Sequence, residues 1–600
     1  MNRKNQYLRS LGLTLGVAAI AATALAAPKD KADDKLRDKP APTFDWTTVV
    51  NNNDLMPPLQ VRNFNSYNQP SVNKNGLVVF RARSRGGPPQ GQPTHGIYTR
   101  DMAVGDSEII RILDRTTQVP QPNNLGTTFV ETPSFPRIDM DSDTIGTRGN
   151  HQPVWLYTPE GEDETRAGTT GIYTNPFGDL ITGASKLGSV TEFSFFGVPE
   201  SPGNLFEVFP GAPSLTAGNT IVFKGNYDDA GISRTGVYFR VLQDRPIGVD
   251  ELSPAGGDAP AVLIANSAST LIPGTSTVFG STAPPSAANG QVVFAGFDDE
   301  DNPSLGGIYI APLEATPELT PLVSIGEQVP EEPEIATFDG LGEGGAFDGR
   351  FIGFWGSWGD EVRTLRLYCQ TEGNRDRIDF CNQELVCEGT EEPIGDPDSI
   401  CDDMEDPFYG ERCYQERDVP VNQGFFVHDS NTRKTWTVAK TGEQFDEFLF
   451  WNYSGKVPCT GGGHSEEGAV EDGEPARWRS SAFVAVSGRG ATFKAAFKAR
   501  AGEFDDEGGV YVEPVDGVYL MSRPATGQSP IATVLDTTMD GQSLDPEAPG
   551  GSIVTELGVE LEGLRGDLLV INAKMAAPVE EGEEEDEEDD MAGIYLTNVK

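Results

Sequence analysis

The chain has 600 residues, with 45 Lys+Arg against 92 Asp+Glu and a formal charge of −47. A surface this acidic excludes nucleic acid as a natural partner, because a phosphate backbone needs a basic stripe. With 37% hydrophobic and 9% aromatic residues there is apolar material for a large core, and 69 Gly with 44 Pro favour many short strands and turns over helical bundles.

The N-terminus reads as a signal peptide over residues 1–26. Arg3, Lys4 and Arg9 form a basic start, an apolar run follows from Leu11 to Ala22, and Ala24-Leu25-Ala26 supplies a small-residue cleavage site. The run is too short to span a bilayer comfortably, so cleavage is the reading preferred over a retained anchor. Removing this segment would take the formal charge to about −50. No later stretch approaches about 18 consecutive apolar residues, so the mature chain is expected to carry no integral membrane segment. These features predict a secreted or periplasmic protein. Residues 27–43, rich in charge and bracketed by Pro, read as a solvated linker before a folded region from Phe44 to Lys600.

That region is built from an internal repeat. Its clearest mark is Gly-(Ile/Val)-Tyr, at Gly96-Ile97-Tyr98, Gly171-Ile172-Tyr173, Gly236-Val237-Tyr238, Gly307-Ile308-Tyr309, Gly517-Val518-Tyr519 and Gly593-Ile594-Tyr595, with Gly424-Phe425-Phe426 as a degenerate copy. Ahead of most copies stand a Pro-Ser strand, a polar turn and an alternating strand, as in PSVNKNGLVVFRA from Pro70, PSLTAGNTIVFKG from Pro213 and PSAANGQVVFAG from Pro285. Val78 and Phe80 share one face at period two, as a half-buried strand requires, and the Asn/Asp/Gly turns tolerate the positive φ of a tight hairpin. In each marker, Gly permits close backbone approach while Ile and Tyr pack the sheet.

A third element, a short apolar strand, follows six of the seven markers: IIRILD from Ile109, LITGA from Leu180, VLIAN from Val262, PLVSI from Pro321, TWTVA from Thr435 and IATVLD from Ile531. The last marker ends five residues before the C-terminus, and the missing strand stands at the other end of the chain, in WTTVV from Trp46. A ring in which the N-terminal strand completes the final unit leaves no open edge. The predicted fold is therefore all-β: a β-propeller of seven four-stranded blades, with six or eight the alternatives, each with strands A (Pro-Ser), B (Val-Val-Phe), C (Gly-Ile-Tyr) and D (Leu-Ile). A stacked solenoid fits less well, because repeat lengths vary and the termini are complementary. The unit P-S-x-N-x-x-G-x-V-x-F followed by G-I-Y resembles the TolB-type propeller repeat, and still more closely repeats of a family of secreted bacterial proteins with no assigned function. The resemblance implies a propeller and carries over no catalytic residue, because such repeats serve binding proteins and hydrolases alike.

Two insertions interrupt the repeat. All six cysteines, Cys369, Cys381, Cys387, Cys401, Cys413 and Cys459, fall between 369 and 459. An even number clustered in an exported chain reads as three disulfides; the competing zinc site lacks any C-x-x-C pair. Five of them lie in a stretch over 366–421 between strands B and C of the fifth blade, and Cys459 reads as part of the crossing toward the sixth. Between B and C of the last blade, residues 579–591 hold the acidic run EEGEEEDEEDD, expected to be a disordered loop.

Three B–C loops share an aromatic-Asp-Asp pattern: Tyr227-Asp228-Asp229, Phe297-Asp298-Asp299 and Phe504-Asp505-Asp506. Their oxygen-only groups suit a hard cation such as Ca²⁺; the plainer reading is a solvated turn inherited with the repeat. Asp139-Met140-Asp141-Ser142-Asp143 superficially resembles a calcium loop, but its glycine, Gly146, is misplaced and the segment aligns with an A–B turn.

No H-E-x-x-H, no G-x-S-x-G and only four histidines (His95, His151, His428, His464) are present, so no catalytic constellation stands out. The leading expectation is a non-enzymatic binding or interaction protein using the face that gathers the B–C loops, with its extracellular or periplasmic ligand undefined. The alternative is a carbohydrate-active hydrolase with two acids about 5 to 10 Å apart at the central channel.

Overall fold

In a computed structural model, residues 44–600 form one compact unit, separate from residues 1–43. The described residues are 44–86, 93–123, 125–151, 154–158, 164–167, 170–244, 256–369, 380–381, 414–442, 445–454, 476–488, 490–497, 515–522, 531–577 and 590–599. The predicted signal peptide, the linker, the acidic run up to residue 589, Asp505, Asp506, His464, Cys387, Cys401, Cys413 and Cys459 lie outside them.

Seven antiparallel sheets succeed one another along the chain, each built on a four-strand path, and the fold is a seven-bladed β-propeller. Blade 1 shows the pattern, with strands A (Phe64–Tyr67), B (Leu77–Ser84), C (His95–Asp101) and D (Ile110–Asp114) in that order across the sheet. The Pro-Ser segment proves to be only half of strand A. It forms a separate short strand, A′ (Ser71–Val72), which pairs with the start of B, while the outer piece pairs with its end. Six blades divide strand A in this way into two named strands.

The A′ strands are the innermost. Ser71–Val72, Arg137–Ile138, Ser214–Thr216, Ser286–Ala288, Ala346–Phe347, Val484–Ser487 and Leu564–Arg565 contact one another in sequence, and the last contacts the first, closing a circle about the axis. Closure at the periphery is by the predicted route. Trp46–Asn51 is the D strand of blade 7 and pairs antiparallel with Met591–Asn598, with Thr47 opposite Leu596 and Val50 opposite Ile594.

Each blade packs around the third residue of its marker, a tyrosine in six blades and Phe426 in the fifth. An aromatic from the outer A piece or the loop before it meets the C-strand ring edge-on: Phe64 on Tyr98 at 5.1 Å, Phe129 on Tyr173 at 4.7 Å, Phe206 on Tyr238 at 5.0 Å, Phe279 on Tyr309 at 5.3 Å and Phe338 on Phe426 at 5.0 Å. Such pairs contribute about 0.5–1.5 kcal/mol each beyond area burial. In blade 7 the Tyr595 hydroxyl instead donates to Asp545 Oδ2 at 3.1 Å, and Asn51 Nδ2 of the N-terminal strand donates to the same oxygen at 3.0 Å. The marker glycine is sterically required here: a Cβ on Gly593 would stand 2.5 Å from the Tyr595 hydroxyl and 2.6 Å from the Val50 carbonyl. Every C–D pair also carries a register shift beside this tyrosine or phenylalanine. The marker is thus a packing and bulge device, which is the role its residue types predict.

The A–B turns link neighbouring blades. Asn73 Nδ2 donates to Asp143 Oδ1 at 2.9 Å, and Asp139 Oδ2 accepts from Gly218 N at 2.6 Å. The Asp139–Asp143 run therefore joins blades 1, 2 and 3, as an A–B turn would.

Candidate functional site

Antiparallel order places the B–C loops and the D-to-A crossings at one end of the ring and the A–B turns and C–D loops at the other. The first end is the elaborated one. Blade 3 extends B (Thr220–Asp229) and C (Ile232–Val241) as a paired ribbon out to Asp229 opposite Ile232. In blade 5 the cysteine insertion begins as a regular ribbon, Val362–Tyr368 against Tyr414–Pro420, where sequence periodicity gave no sign of strands. A second ribbon, Leu449–Ser454 against Arg477–Ala482, arises inside strand A of blade 6, between Phe445–Glu447 and Val484–Ser487. Residue 459 therefore falls within an A-strand insertion and not in the crossing that the sequence reading assigned.

These two ribbons build a small core of their own. Leu367, Cys369, Cys381, Tyr453, Ala476 and Trp478 are buried together, apart from the blade cores. Cys369 and Cys381 form a disulfide within it. The Arg363 guanidinium pairs with Glu447, and Arg477 with Glu300 at 2.6 Å, so the module is tied to blade 6 and to the B–C loop of blade 4. Because the cystine belongs to this module, reduction is expected to leave the β-sheet circular dichroism nearly unchanged while exposing Cys369 and Cys381 to alkylation; collapse of the sheet signal on reduction would contradict the assignment.

The aromatic-Asp-Asp carboxylates of blades 3 and 4 shape turns. Asp298 Oδ1 accepts from the Ser304 and Leu305 backbone N–H groups, both at 2.8 Å, and Oδ2 accepts from Ser304 Oγ at 2.6 Å. Burial pushes the Asp298 carboxyl up, but these donors outweigh it and hold its pKa below the ordinary value. Asp299 Oδ1 accepts from Asp301 N and Asn302 N, Asp228 Oδ1 accepts from Gly231 N at 2.8 Å, and Asp229 faces Arg234 at 3.8 Å. The pair of blade 4 organises its own loop, and in blade 3 Asp229 Oδ1 also accepts from Asn204 Nδ2 of the preceding crossing at 3.2 Å. Among the described residues no three His, Cys, Asp or Glu side chains gather as a metal-holding group.

The axis holds a buried charge cluster that sequence reasoning missed. Arg137 on A′ of blade 2 donates through Nε and Nη2 to Glu560 Oε1 of blade 7, at 3.1 and 2.7 Å, and through Nη1 to the Pro285 carbonyl of blade 4 at 3.0 Å. Glu562 Oε1 accepts from Ser214 Oγ of blade 3 at 3.1 Å and faces Arg565 at 3.6 Å. The Glu562 carbonyl accepts from Val72 N of blade 1 at 3.2 Å. All four charged side chains are at most 5% exposed. Burial opposes the Arg137 charge, but Glu560 and Glu562 outweigh it and raise its pKa; burial pushes the Glu562 carboxyl up against the pull of Arg565 and Arg137. Two carboxylates do meet at the axis, but shielded from solvent and engaged by two guanidiniums.

The three described histidines are packed into the blades. His95 and His428 are both held near pKa 4, chiefly by burial, and His151 Nε2 lies 2.5 Å from the Tyr173 hydroxyl. None of these contacts pairs a base with a nucleophile positioned over a cleft.

The loop face has a second repeated device. Four D-to-A crossings fold as arches in which an apolar residue followed by Pro turns inward: Met56-Pro57, Val119-Pro120, Ile272-Pro273 and Val329-Pro330. Its N–H donates across the arch, to the Arg62, Thr127, Thr277 and Ala336 carbonyls at 2.8 to 2.9 Å. Beside each buried anchor, aliphatic side chains point outward: Leu59 is 74% and Val61 75% exposed in the first arch, Leu125 37% in the second, Leu271 50% in the third and Ile335 91% in the fourth.

Compared with known proteins, the chain matches no family model and no curated protein. Solved structures similar to it include a family 117 glycoside hydrolase from the marine bacterium Zobellia galactanivorans, at 12% identity over 56% of this chain and 86% of that one, with a TM-score of 0.24. A Trypanosoma rangeli sialidase in complex with sialic acid matches at 9% identity over 93% of this chain and 96% of that one, with a TM-score of 0.26. The β-propeller domain of the Trilobed protease from Pyrococcus furiosus matches at 9% identity over 49% and 90%, with a TM-score of 0.14. These are likenesses in shape.

Proposed function

We propose that this chain is an exported, non-enzymatic binding protein that engages an extracellular or periplasmic ligand with the face carrying the B–C loops. The observation that carries this reading is the accessory module: two insertions from different blades meet on that face, share a core and are tied down by Arg363 and Arg477. Buried, well-packed accessory surface of this kind costs chain entropy to order, and a stable platform for contacts is what it provides. The axial carboxylates support the same reading, because a general acid or nucleophile must reach substrate and theirs are sealed inside ion pairs.

The test is a footprint. Purified chain lacking residues 1–26 is screened on glycan and protein arrays, and amide exchange is compared with and without each ligand found. Protection is expected in the B–C loops and crossings; protection confined to the A–B turns and C–D loops would overturn the assignment.

Within this reading the aromatic-Asp-Asp pairs of blades 3 and 4 shape loops on the binding face. Calcium titration followed by calorimetry is expected to give the same heats for the wild type and for Asp298→Asn/Asp299→Asn, any weak binding coming from the acidic run at 579–591. A site lost with Asp298 and Asp299 would instead establish them as Ca²⁺ ligands.

A further inference from the structure

The exposed apolar side chains are distributed unevenly over the ring. Of the sixteen exposed large hydrophobic residues among those described, twelve lie toward the end of the ring that carries the B–C loops and D-to-A crossings: nine in those loops, insertions and crossings, and Val130, Ile232 and Ile553 in the strand ends beside them. All twelve are Leu, Val or Ile; the one aromatic of the sixteen, Phe177, is on the opposite face. Scattered single apolar residues need no explanation, and these stand in the crossings of different blades; what sets them apart is that they recur on one face of the ring. The four arches account for part of it: each buries one apolar residue ahead of its Pro and leaves another beside it exposed, so this exposure follows the repeat.

The chemistry of the occupant follows from what surrounds these side chains. Sugar recognition uses aromatic platforms, and none stands among the twelve. Ile335 is flanked by Glu331, Glu332 and Glu334, Leu55 by Asp54, and Leu305 follows the run Asp298–Asp301. Several cations of this face are already paired with its own acids, as Lys440 is with Glu332 at 2.6 Å and Arg234 with Asp229 at 3.8 Å. A second copy, also at −47, would meet like charge, and so would an anionic bilayer.

Resting on the binding reading above, we propose that the ring of arches docks a cationic protein segment bearing aliphatic side chains. Its apolar residues would cover Leu59, Val61, Leu271 and Ile335, while its Lys and Arg meet the acidic rim, the arrangement by which amphipathic segments seat on apolar, acidic surfaces.

The probe is a synthetic amphipathic Leu/Lys peptide, compared by fluorescence anisotropy with a Ser/Lys peptide of equal length and charge, which reports the purely electrostatic attraction. The Leu/Lys peptide is expected to bind at least tenfold more tightly. That advantage should vanish in Leu59→Ser/Val61→Ser/Ile335→Ser and persist in Val104→Ser/Ile110→Ser on the other side of the ring. These positions are exposed, so unchanged circular dichroism is expected in both variants. Equal affinity for the two peptides, or an advantage that survives the triple substitution, overturns the proposal. So does phosphatidylcholine vesicle binding abolished by the triple substitution, which would make the surface a membrane contact. An array ligand that footprints on the B–C face but ignores the triple substitution leaves the binding reading standing and removes this one.

Discussion

Deleting residues 44–52 is expected to abolish the cooperative unfolding of the whole ring. The N-terminal strand supplies Val49 and Val50, both fully buried, each worth about 1.5–3 kcal/mol of apolar burial. It also covers the outer edge of Met591–Asn598, including the Gly593 close approach, and brings Asn51 to the buried Asp545. Without it blade 7 ends on a long exposed edge, which templates aggregation. Loss of a single strand thus removes a substantial part of the margin of about 5–15 kcal/mol typical of folded domains. A synthetic peptide of residues 44–52, added in trans, should restore part of the thermal transition. Normal melting of the truncated chain would show that the termini do not close the ring.

The second large effect is expected at the axis. Glu560→Ala removes the carboxylate that holds two guanidinium nitrogens of Arg137 and leaves that side chain buried with only the more distant Glu562 against its charge. Breaking a buried pair from one side costs about 3–5 kcal/mol, whereas replacing both partners by apolar residues of similar size is often neutral. Chemical denaturation should therefore show a large loss for Glu560→Ala and for Arg137→Ala, and recovery of most of it in Arg137→Met/Glu560→Met. Additive losses in the double variant would mean that the two side chains act independently. The consequence reaches beyond one pair, because Arg137 also holds the Pro285 carbonyl, so three blades meet on one guanidinium.

The blades were legible because their signals are local and recur. Val78 with Phe80, and Gly96-Ile97-Tyr98, are signals contained within a few residues, and seven copies make the register unmistakable. The half-buried strand expected from period two is corrected, since Val78, Val79 and Phe80 are all buried, as are Ile97 and Tyr98, both faces of these strands being covered by neighbouring blades. Closure was legible by subtraction, since Gly593-Ile594-Tyr595 lacks a following strand and Trp46 opens an unclaimed one. The axial cluster was not. Arg137 and Glu560 are 423 residues apart and stand out by no motif; only the convergence of seven A′ strands makes them neighbours. The split of strand A was hidden for a similar reason: Phe64, Phe206, Phe279 and Phe338 precede the B-strand phenylalanine by 15 to 17 residues, across a turn of variable content. The arches did leave a trace, an apolar-Pro pair followed within ten residues by Phe in four crossings, which reads as structure only once the crossings are known to share one face. Carboxylates were the least informative signal, because 92 of them serve as turn acceptors, ion-pair partners and solvated surface alike.

The account rests most heavily on the axial carboxylates being structural, so that function resides on the loop face. The direct measurement is product release from a panel of glycoside substrates by the wild type, Glu560→Gln and Glu562→Gln, each with its melting temperature recorded. No turnover above background is expected in any of the three, together with a lowered melting temperature in Glu560→Gln. Turnover in the wild type that disappears in either variant at unchanged stability would contradict it and establish the chain as a hydrolase.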